Sequence, residues 1–379
     1  MSFKNKLIKR LCCRRAQMKE EREKRFLIVS TTGLGDTLWG TPAIRALREA
    51  YPKEYIAILT NPIGKELLGN NPHIHEIFVL RNPPLFSLLT LYKPLVQRGI
   101  THALLFHTSR RCILPFISKI RPRMIVGTEG MHKGLDDLLT HALPRCKEHE
   151  IDRRLRIVSA VGAHPSSNEL ELFISPSEES IVFPRNTPIV AIHPGANARF
   201  KCWPPSHFIA LAKRLYETLG CQLYITGSSK ERPLVHSLVQ ALSHERARPL
   251  THLSVSAFVA FLQRIQLFIT NDTGPMHCAV AVQTPTLALF ASTDPALCGP
   301  RTSFPYVKVL RAERTCSLCL EKQCQDPFCF LQIGVDEAYR TATRLLSLSN
   351  EDFPIRGRAD IGVVEEDCKE CYEPTSNQH

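Results

Sequence analysis

Residues 26–47 read FLIVSTTGLGDTLWGTPAIRAL, and the fold is decided by how this stretch is taken. FLIVS (26–30) is a short, uninterrupted apolar run of the kind that forms a parallel strand buried on both faces. TTGLGDT (31–37) is a glycine-containing turn, and the apolar positions Leu38, Ile44 and Leu47 then predict a helix. The stretch is a strand–turn–helix unit. Outward from it the alternation continues with YIAILT (55–60), EIFVL (76–80), THALLF (101–106) and RMIVG (123–127) as strands, separated by helical stretches such as SLLTLYKPLVQRG (87–99). Strands alternating with helices predict a doubly wound parallel sheet.

A second series begins at PIVAIHPGA (188–196). It passes through a long helix to Leu219, the strand CQLYITG (221–227), a helix through Leu242 and the strand LFITND (267–272). A helix follows Thr273, and the series closes on the strand TPTLALF (284–290). Between the two series lies SPSEESIVFPRNT (175–187), with the Ser/Pro composition of an interdomain connection. At 379 residues and 44% apolar composition, two domains are expected. The sequence therefore divides into a leader (1–25), a first domain (26–175), a linker (176–187), a second domain (188–345) and a polar tail (346–379). Two Rossmann-like α/β halves would face each other across a central cleft, each aiming its strand C-termini and helix N-termini into it.

The net charge of +12 is unevenly placed, with ten Lys/Arg against three Glu in residues 1–26. In this leader Phe3, Leu7, Ile8 and Leu11 fall at helical spacing among the cations, which suits a helix lying on an anionic membrane surface; a solvated tail is the alternative. The basic excess is terminal and no nucleic-acid-binding module follows it, so no nucleic-acid partner is expected. No apolar run is long enough to cross a bilayer, and the N-terminus has no secretory signal. A cytoplasmic protein is predicted, peripheral on the inner face of the cytoplasmic membrane. Fourteen cysteines in such a chain point to thiols or a metal cluster before disulfides. Cys316, Cys319, Cys324 and Cys329 have the spacing of a small metal knot, for which structural zinc, buried thiols and a local disulfide all stay open; Cys368 and Cys371 form a separate pair.

Gly33 and Gly35 lack the third glycine of a dinucleotide fingerprint, since position 38 is Leu. The second strand ends in Thr60 and Asn61 rather than in a carboxylate for a ribose diol, which argues against a dehydrogenase. Asp36 instead stands at the tip of the turn, where a carboxylate can serve as general base or merely cap the helix. In HPGANARFKCWP (193–204), Lys201 precedes a helix begun by Pro204 and Pro205; it can neutralise a diphosphate or be an ordinary surface lysine. NDTGPMHCAVA (271–281) opens a helix whose free N–H groups around Thr273 and Gly274 suit an anion. Asp272 can again be a cap, and His277, one turn in, a satisfied helix histidine. The Asp136–Asp137 pair reads as a solvated face, and there is no DxD pair near a strand end.

Together, TTGLGDTLWGTPAIRALREAYP (31–52), the HPG…KxWP element, ITGSSKE (225–231) and NDTGPMH (271–277) resemble glycosyltransferase family 9, which contains the ADP-heptose:lipopolysaccharide heptosyltransferases. The resemblance covers residues 25–345 in order and spacing. It implies a GT-B fold and an inverting, metal-independent transfer from an ADP-sugar, ADP-heptose above all, to a lipid A–core type acceptor. Asp36 would be the catalytic base and Lys201 the cation on the diphosphate. Thr273, Gly274 and His277 would touch the donor phosphates, and Asp272 would join the sugar or phosphate network. Ser229, Lys230 and Glu231 would meet the nucleoside, the looser part of the match. Gly33, Gly35 and Thr37 would form the acceptor-side loop. No catalytic cofactor is implied, and zinc at the cysteine knot would be structural. A same-fold transferase using another nucleotide sugar and a non-catalytic nucleotide-sugar-binding protein are the alternatives; the presence of both Asp36 and Lys201 favours turnover.

Overall fold

The computed structural model describes residues 23–174, 187–243, 246–313, 324 and 328–352. β1 (Arg25–Ser30), β2 (Tyr55–Thr60), β3 (Glu76–Val79), β4 (His102–His107), β5 (Met124–Thr128) and β6 (His141–Leu143) make one sheet in the order β3-β2-β1-β4-β5-β6. β7 (Ile189–His193), β8 (Gln222–Thr226), β9 (Ala247–Leu250), β10 (Leu267–Asn271), β11 (Thr286–Phe290) and β12 (Val307–Arg311) repeat it as β9-β8-β7-β10-β11-β12. Every neighbouring pair is parallel. In each sheet the strand order reverses beside the first strand, between β1 and β4 and between β7 and β10, and ligands of such sheets bind at that reversal. Phe26 to Val29 are fully buried, as a strand covered on both faces requires.

The helices of the first half are α1 (Leu34–Leu38), α2 (Thr41–Ala50), α3 (Pro62–Leu68), α4 (Pro84–Gln97), α5 (Ile113–Ile120) and α6 (Glu150–Ser159). Those of the second half are α7 (Pro205–Leu219), α8 (Arg232–Leu242), α9 (Val255–Leu262), α10 (Gly274–Ala281), α11 (Pro295–Cys298) and α12 (Val335–Asp352). The single helix expected through Leu38, Ile44 and Leu47 is two. Pro42 has no N–H to offer the Leu38 carbonyl, and the Thr41 hydroxyl donates to that oxygen instead at 2.8 Å. The break leaves α1 as a short platform for Asp36.

TPTLALF does not close the second sheet. β12 follows it at the edge, half exposed and carrying Lys308 and Arg311, so its apolar signal is diluted. β6 and β9, shorter still and also at edges, likewise lack a clear apolar run; Pro249 in β9 is tolerated because an edge strand leaves one row of N–H groups unpaired. Asp136 and Asp137 sit on a 3-10 turn: Asp137 is exposed, as a solvated face requires, whereas Asp136 is half-buried with one of its oxygens fully enclosed. α12 continues past residue 345, with Leu345 and Leu346 buried in the second half's core. The basic leader to residue 22, most of the linker, Cys316, Cys319, Cys368 and Cys371 lie outside the described residues.

One hydrophobic cluster runs through both halves, joining Phe26, Ile44 and Phe106 of the first to Tyr224, Phe261, Phe268 and Cys278 of the second. At its rim α1 lies against α10. A methyl group on Gly274 would stand 2.9 Å from the Leu34 side chain and 3.3 Å from the Gly35 nitrogen; one on Gly35 would meet the His277 ring at 3.2 Å. The two glycine turns singled out in the sequence therefore abut directly. Gly274→Ala must push α1 away, and we expect a loss of about 1–3 kcal/mol in urea unfolding, whereas Gly220→Ala, at a left-handed helix end with open space around it, should strain the backbone without disturbing the interdomain contact.

Candidate active site

Asp36 occupies the third position of α1, behind Gly33 at the N-cap, where no side chain caps the helix. Its carboxylate turns to Arg154, whose Nη2 donates to Oδ1 at 3.2 Å. Arg154 lies on α6, is fully buried, and donates through Nη1 to Glu150 Oε2 at 2.6 Å and to the Glu150 carbonyl at 2.8 Å. Arg153 donates to the same Glu150 oxygen at 2.6 Å and to the Phe106 carbonyl at 2.9 Å. Burial disfavours ionisation of Glu150, but Arg154 and Arg153 outweigh it and hold the carboxyl down at about 2. The Arg154 guanidinium also lies over the Trp39 ring, 5.3 Å from its centre. Asp36 is thus set on a buried cation rather than on a helix cap. His107, at the end of β4, is pushed toward its neutral form by burial, with Asp36 partly opposing.

The opposite wall is built at the ends of β7 and β10. Lys201 ends a 3-10 turn (Arg199–Lys201), and its Nζ donates to Asp272 Oδ2 at 2.6 Å. Thr293 Oγ1 donates to the same oxygen at 2.6 Å. Asp272 is therefore no helix cap, and Lys201 no unattached surface lysine. Asn271 stitches the segments together: its Nδ2 donates to the Pro194 carbonyl at 2.9 Å, and its Oδ1 accepts from the Trp203 N–H at 3.0 Å. The HPG, KCW and NDT elements, distant in sequence, are thereby held together. Each is hydrogen-bonded through one buried amide.

Thr273 is the N-cap of α10, with no side-chain cap bond, so its hydroxyl is not spent on the helix end. Gly274 makes its close approach to α1. His277 is buried, with its ring edge-on to Trp39 at 4.9 Å and no hydrogen-bond partner for Nδ1 among the described residues. It is not a satisfied helix histidine. Burial pushes it down to about 4, and Asp272, Asp36 and Lys201 all lie within electrostatic reach of it. A neutral imidazole with a spare ring nitrogen thus stands where the two walls meet.

Other expected positions are less central. Thr37 is buried, and its hydroxyl donates back to the Gly33 carbonyl at 3.1 Å. Ser229 and Lys230 are exposed on a 3-10 turn after β8. Glu231 turns inward, accepting from the Ser228 N–H at 2.8 Å and its hydroxyl at 2.7 Å, and lies 3.9 Å from His193 Nε2. Cys324 and Cys329 are both buried, Cys329 in the second half's core. Sequence reading missed Glu150, Arg154, Thr293 and Trp39. The available signal was in HEIDRRL (149–155), where Glu150 precedes Arg153 and Arg154 by three and four residues, the spacing of helix neighbours.

A cavity of about 460 Å³ opens between the two halves, lined by His149 and Asp152 from one and by Asp294, Leu297 and Arg301 from the other. That size suits a small-molecule ligand. Across it His149 Nε2 meets the Gly299 carbonyl at 3.2 Å, and Arg301 pairs with Asp152. His149 leads directly into Glu150 and the Asp36 wall, while Asp294 follows Thr293 of the Asp272 wall. A second cavity, about 180 Å³, lies at the C-terminal ends of the first sheet's strands and is lined by Thr31, Asn61, Asn82, Pro84, Ser109 and Arg110.

The Glu150 network carries a pH signature. A carboxyl whose folded value is about 2 against an ordinary 4.5 contributes stability that is complete above 4.5 and is lost as pH falls toward 2. Glu150→Gln should remove this component from the melting temperature measured against pH. At pH 7 it should cost about 3–5 kcal/mol, because two buried guanidinium groups lose their shared counter-charge.

The family model for Glycosyltransferase family 9 (heptosyltransferase) matches residues 105–328. Lipooligosaccharide heptosyltransferase 2 of Haemophilus influenzae is 25% identical over 301 residues, covering 73% of this chain and 85% of that protein. Lipopolysaccharide heptosyltransferase 2 of Salmonella typhimurium is 23% identical over 306 residues, with the same 73% and 85% coverage. Among solved structures, the E. coli ADP-heptose lps heptosyltransferase II superposes with a TM-score of 0.72 at 19% identity, over 86% of this chain and 99% of that one. A family 9 glycosyl transferase from Veillonella parvula does so at 0.70 and 20%, over 86% and 98%. These structures share the GT-B architecture of two Rossmann-like halves, and with the profile spanning more than half of its length the chain belongs to glycosyltransferase family 9 and is a glycosyltransferase.

Proposed function

We propose that the protein transfers heptose from ADP-heptose to a lipopolysaccharide core acceptor, with inversion and without a divalent cation. The observation that carries this reading is the facing of two charged walls at one junction: Asp36 on the buried Arg154, and Lys201 on Asp272 at the N-terminus of α10. The names of the relatives, lipopolysaccharide and lipooligosaccharide heptosyltransferases, support the sugar and the acceptor class. In this reading Asp36 accepts the proton of the acceptor hydroxyl as that oxygen attacks the anomeric carbon. The bond to the departing ADP breaks while Lys201 and the free N–H groups of α10 take up the charge on its diphosphate. A lysine and a helix end thereby fill the role a metal fills in other transferases. In the same reading neutral His277 and the Thr273 hydroxyl hydrogen-bond these phosphates; the uncapped Thr273 side chain and the unpartnered His277 Nδ1 support it. The leader is assigned to the cytoplasmic membrane surface, a peripheral attachment; among the described residues no helix is long and apolar enough to cross a membrane.

Purified protein offered ADP-heptose and a panel of other nucleotide sugars, with and without a lipid A–core acceptor, tests the proposal. Transfer from another sugar alone would replace the donor, and donor binding without turnover would make the chain a non-catalytic binding protein. Asp36→Asn should retain folding and donor binding while kcat falls about 10²- to 10⁴-fold; near-normal turnover would remove Asp36 as base. Lys201→Ala should weaken donor affinity as well as rate, since the cation acts on the bound diphosphate and on the charge that develops as it leaves.

A further inference from the structure

Helix α4 is apolar on two sides. Leu88 and Leu95 point into the first half's core, as such residues should. On the other side Leu85, Phe86, Leu89, Tyr92 and Val96 are 68, 68, 75, 44 and 44% exposed, and four of them follow the four–three–four spacing of one helical stripe. A contiguous exposed apolar stripe marks a contact surface, and this one has no cover among the described residues.

The surrounding charge says what covers it. From Ile77 to Thr128 the sequence holds eight Lys/Arg and neither Asp nor Glu. Lys93 is exposed on α4 itself; Lys119 is exposed on α5, one turn beyond Phe116, whose ring packs against Tyr92. Arg81 is exposed just ahead of the helix. Arg98 is compensated by Glu76, which leaves the positive excess with the others. An apolar stripe rimmed by cations fits the headgroup and acyl boundary of an anionic bilayer. A second copy of the chain would bring two basic rims together, and nucleic acid would have no use for five exposed apolar side chains. The stripe also begins beside the smaller cavity, since Pro84, the first residue of α4, lines it together with Arg110.

We infer that the exposed face of α4 is a membrane-docking surface, seated on anionic lipid so that the cavity at its N-terminal end opens near the bilayer. It is separate from the basic leader, and it does not depend on which sugar is transferred. The full chain carrying Leu89→Trp, mixed with vesicles of phosphatidylglycerol and phosphatidylcholine, should show blue-shifted emission that brominated acyl chains quench, and pure phosphatidylcholine should give a weaker response. Leu85→Gln together with Leu89→Gln should lower the vesicle partition coefficient about tenfold for each side chain withdrawn. The same pair should leave transfer to a water-soluble, deacylated acceptor unchanged. Vesicle binding with no change in emission at position 89 would mean that the leader alone attaches the protein, and would overturn the inference. A concentration-dependent blue shift without lipid would overturn it in favour of self-association. Because the reaction on the soluble acceptor is read separately, failure here leaves the transferase reading standing, and the converse holds as well.

Discussion

The absence of side chains at Gly35 and Gly274 governs this molecule. Both residues stand in the first turn of a helix, and with only hydrogen at each α-carbon those turns meet closely across the two halves. The meeting brings the two strand-order reversals together, so the loops after β1 and β10 build one site instead of two. It also gathers free N–H groups at a point already supplied with Arg154 and Lys201. Carboxylates must stand nearby to keep such a place from being strongly positive, and Asp36, Glu150 and Asp272 do so.

The charges on the two walls are ordered before a ligand arrives. Lys201 is held by Asp272, which Thr293 holds in turn, and Asp36 is held by a guanidinium that cannot turn away from Glu150. Side chains fixed in this way lose little freedom when a substrate binds. Replacing Arg154 by Lys would not be conservative, because one ammonium on a flexible stem cannot present two fixed donors to two carboxylates.

Much of this was legible in the residues. FLIVS and LFIT are almost wholly apolar because a strand buried on both faces disfavours polar side chains, and the polar Ser30 and Thr270 come only at their ends, where the glycine-containing turns begin. The edge strands were not legible: β6, β9 and β12 are short and half wet, and Lys308, Arg311 and Pro249 dilute any periodicity. The split between α1 and α2 was written in Pro42 but masked by the continuing helical spacing. Asp36 and Lys201 stood out from their turns, whereas their partners did not. Arg154 is distant in sequence and appears as one of two adjacent arginines on an ordinary amphipathic helix; its burial is a property of packing that spacing alone does not reveal. The cavity between the halves required both chains of contacts at once.

The cluster that runs from Phe106 through Ile44 to Phe261 and Cys278 belongs to neither half alone. Swinging the halves apart as rigid bodies would expose that shared apolar surface to water, at about 25 cal/mol for every square ångström uncovered. Separation of the halves is therefore opposed by their shared core as well as by the close contact at the glycines.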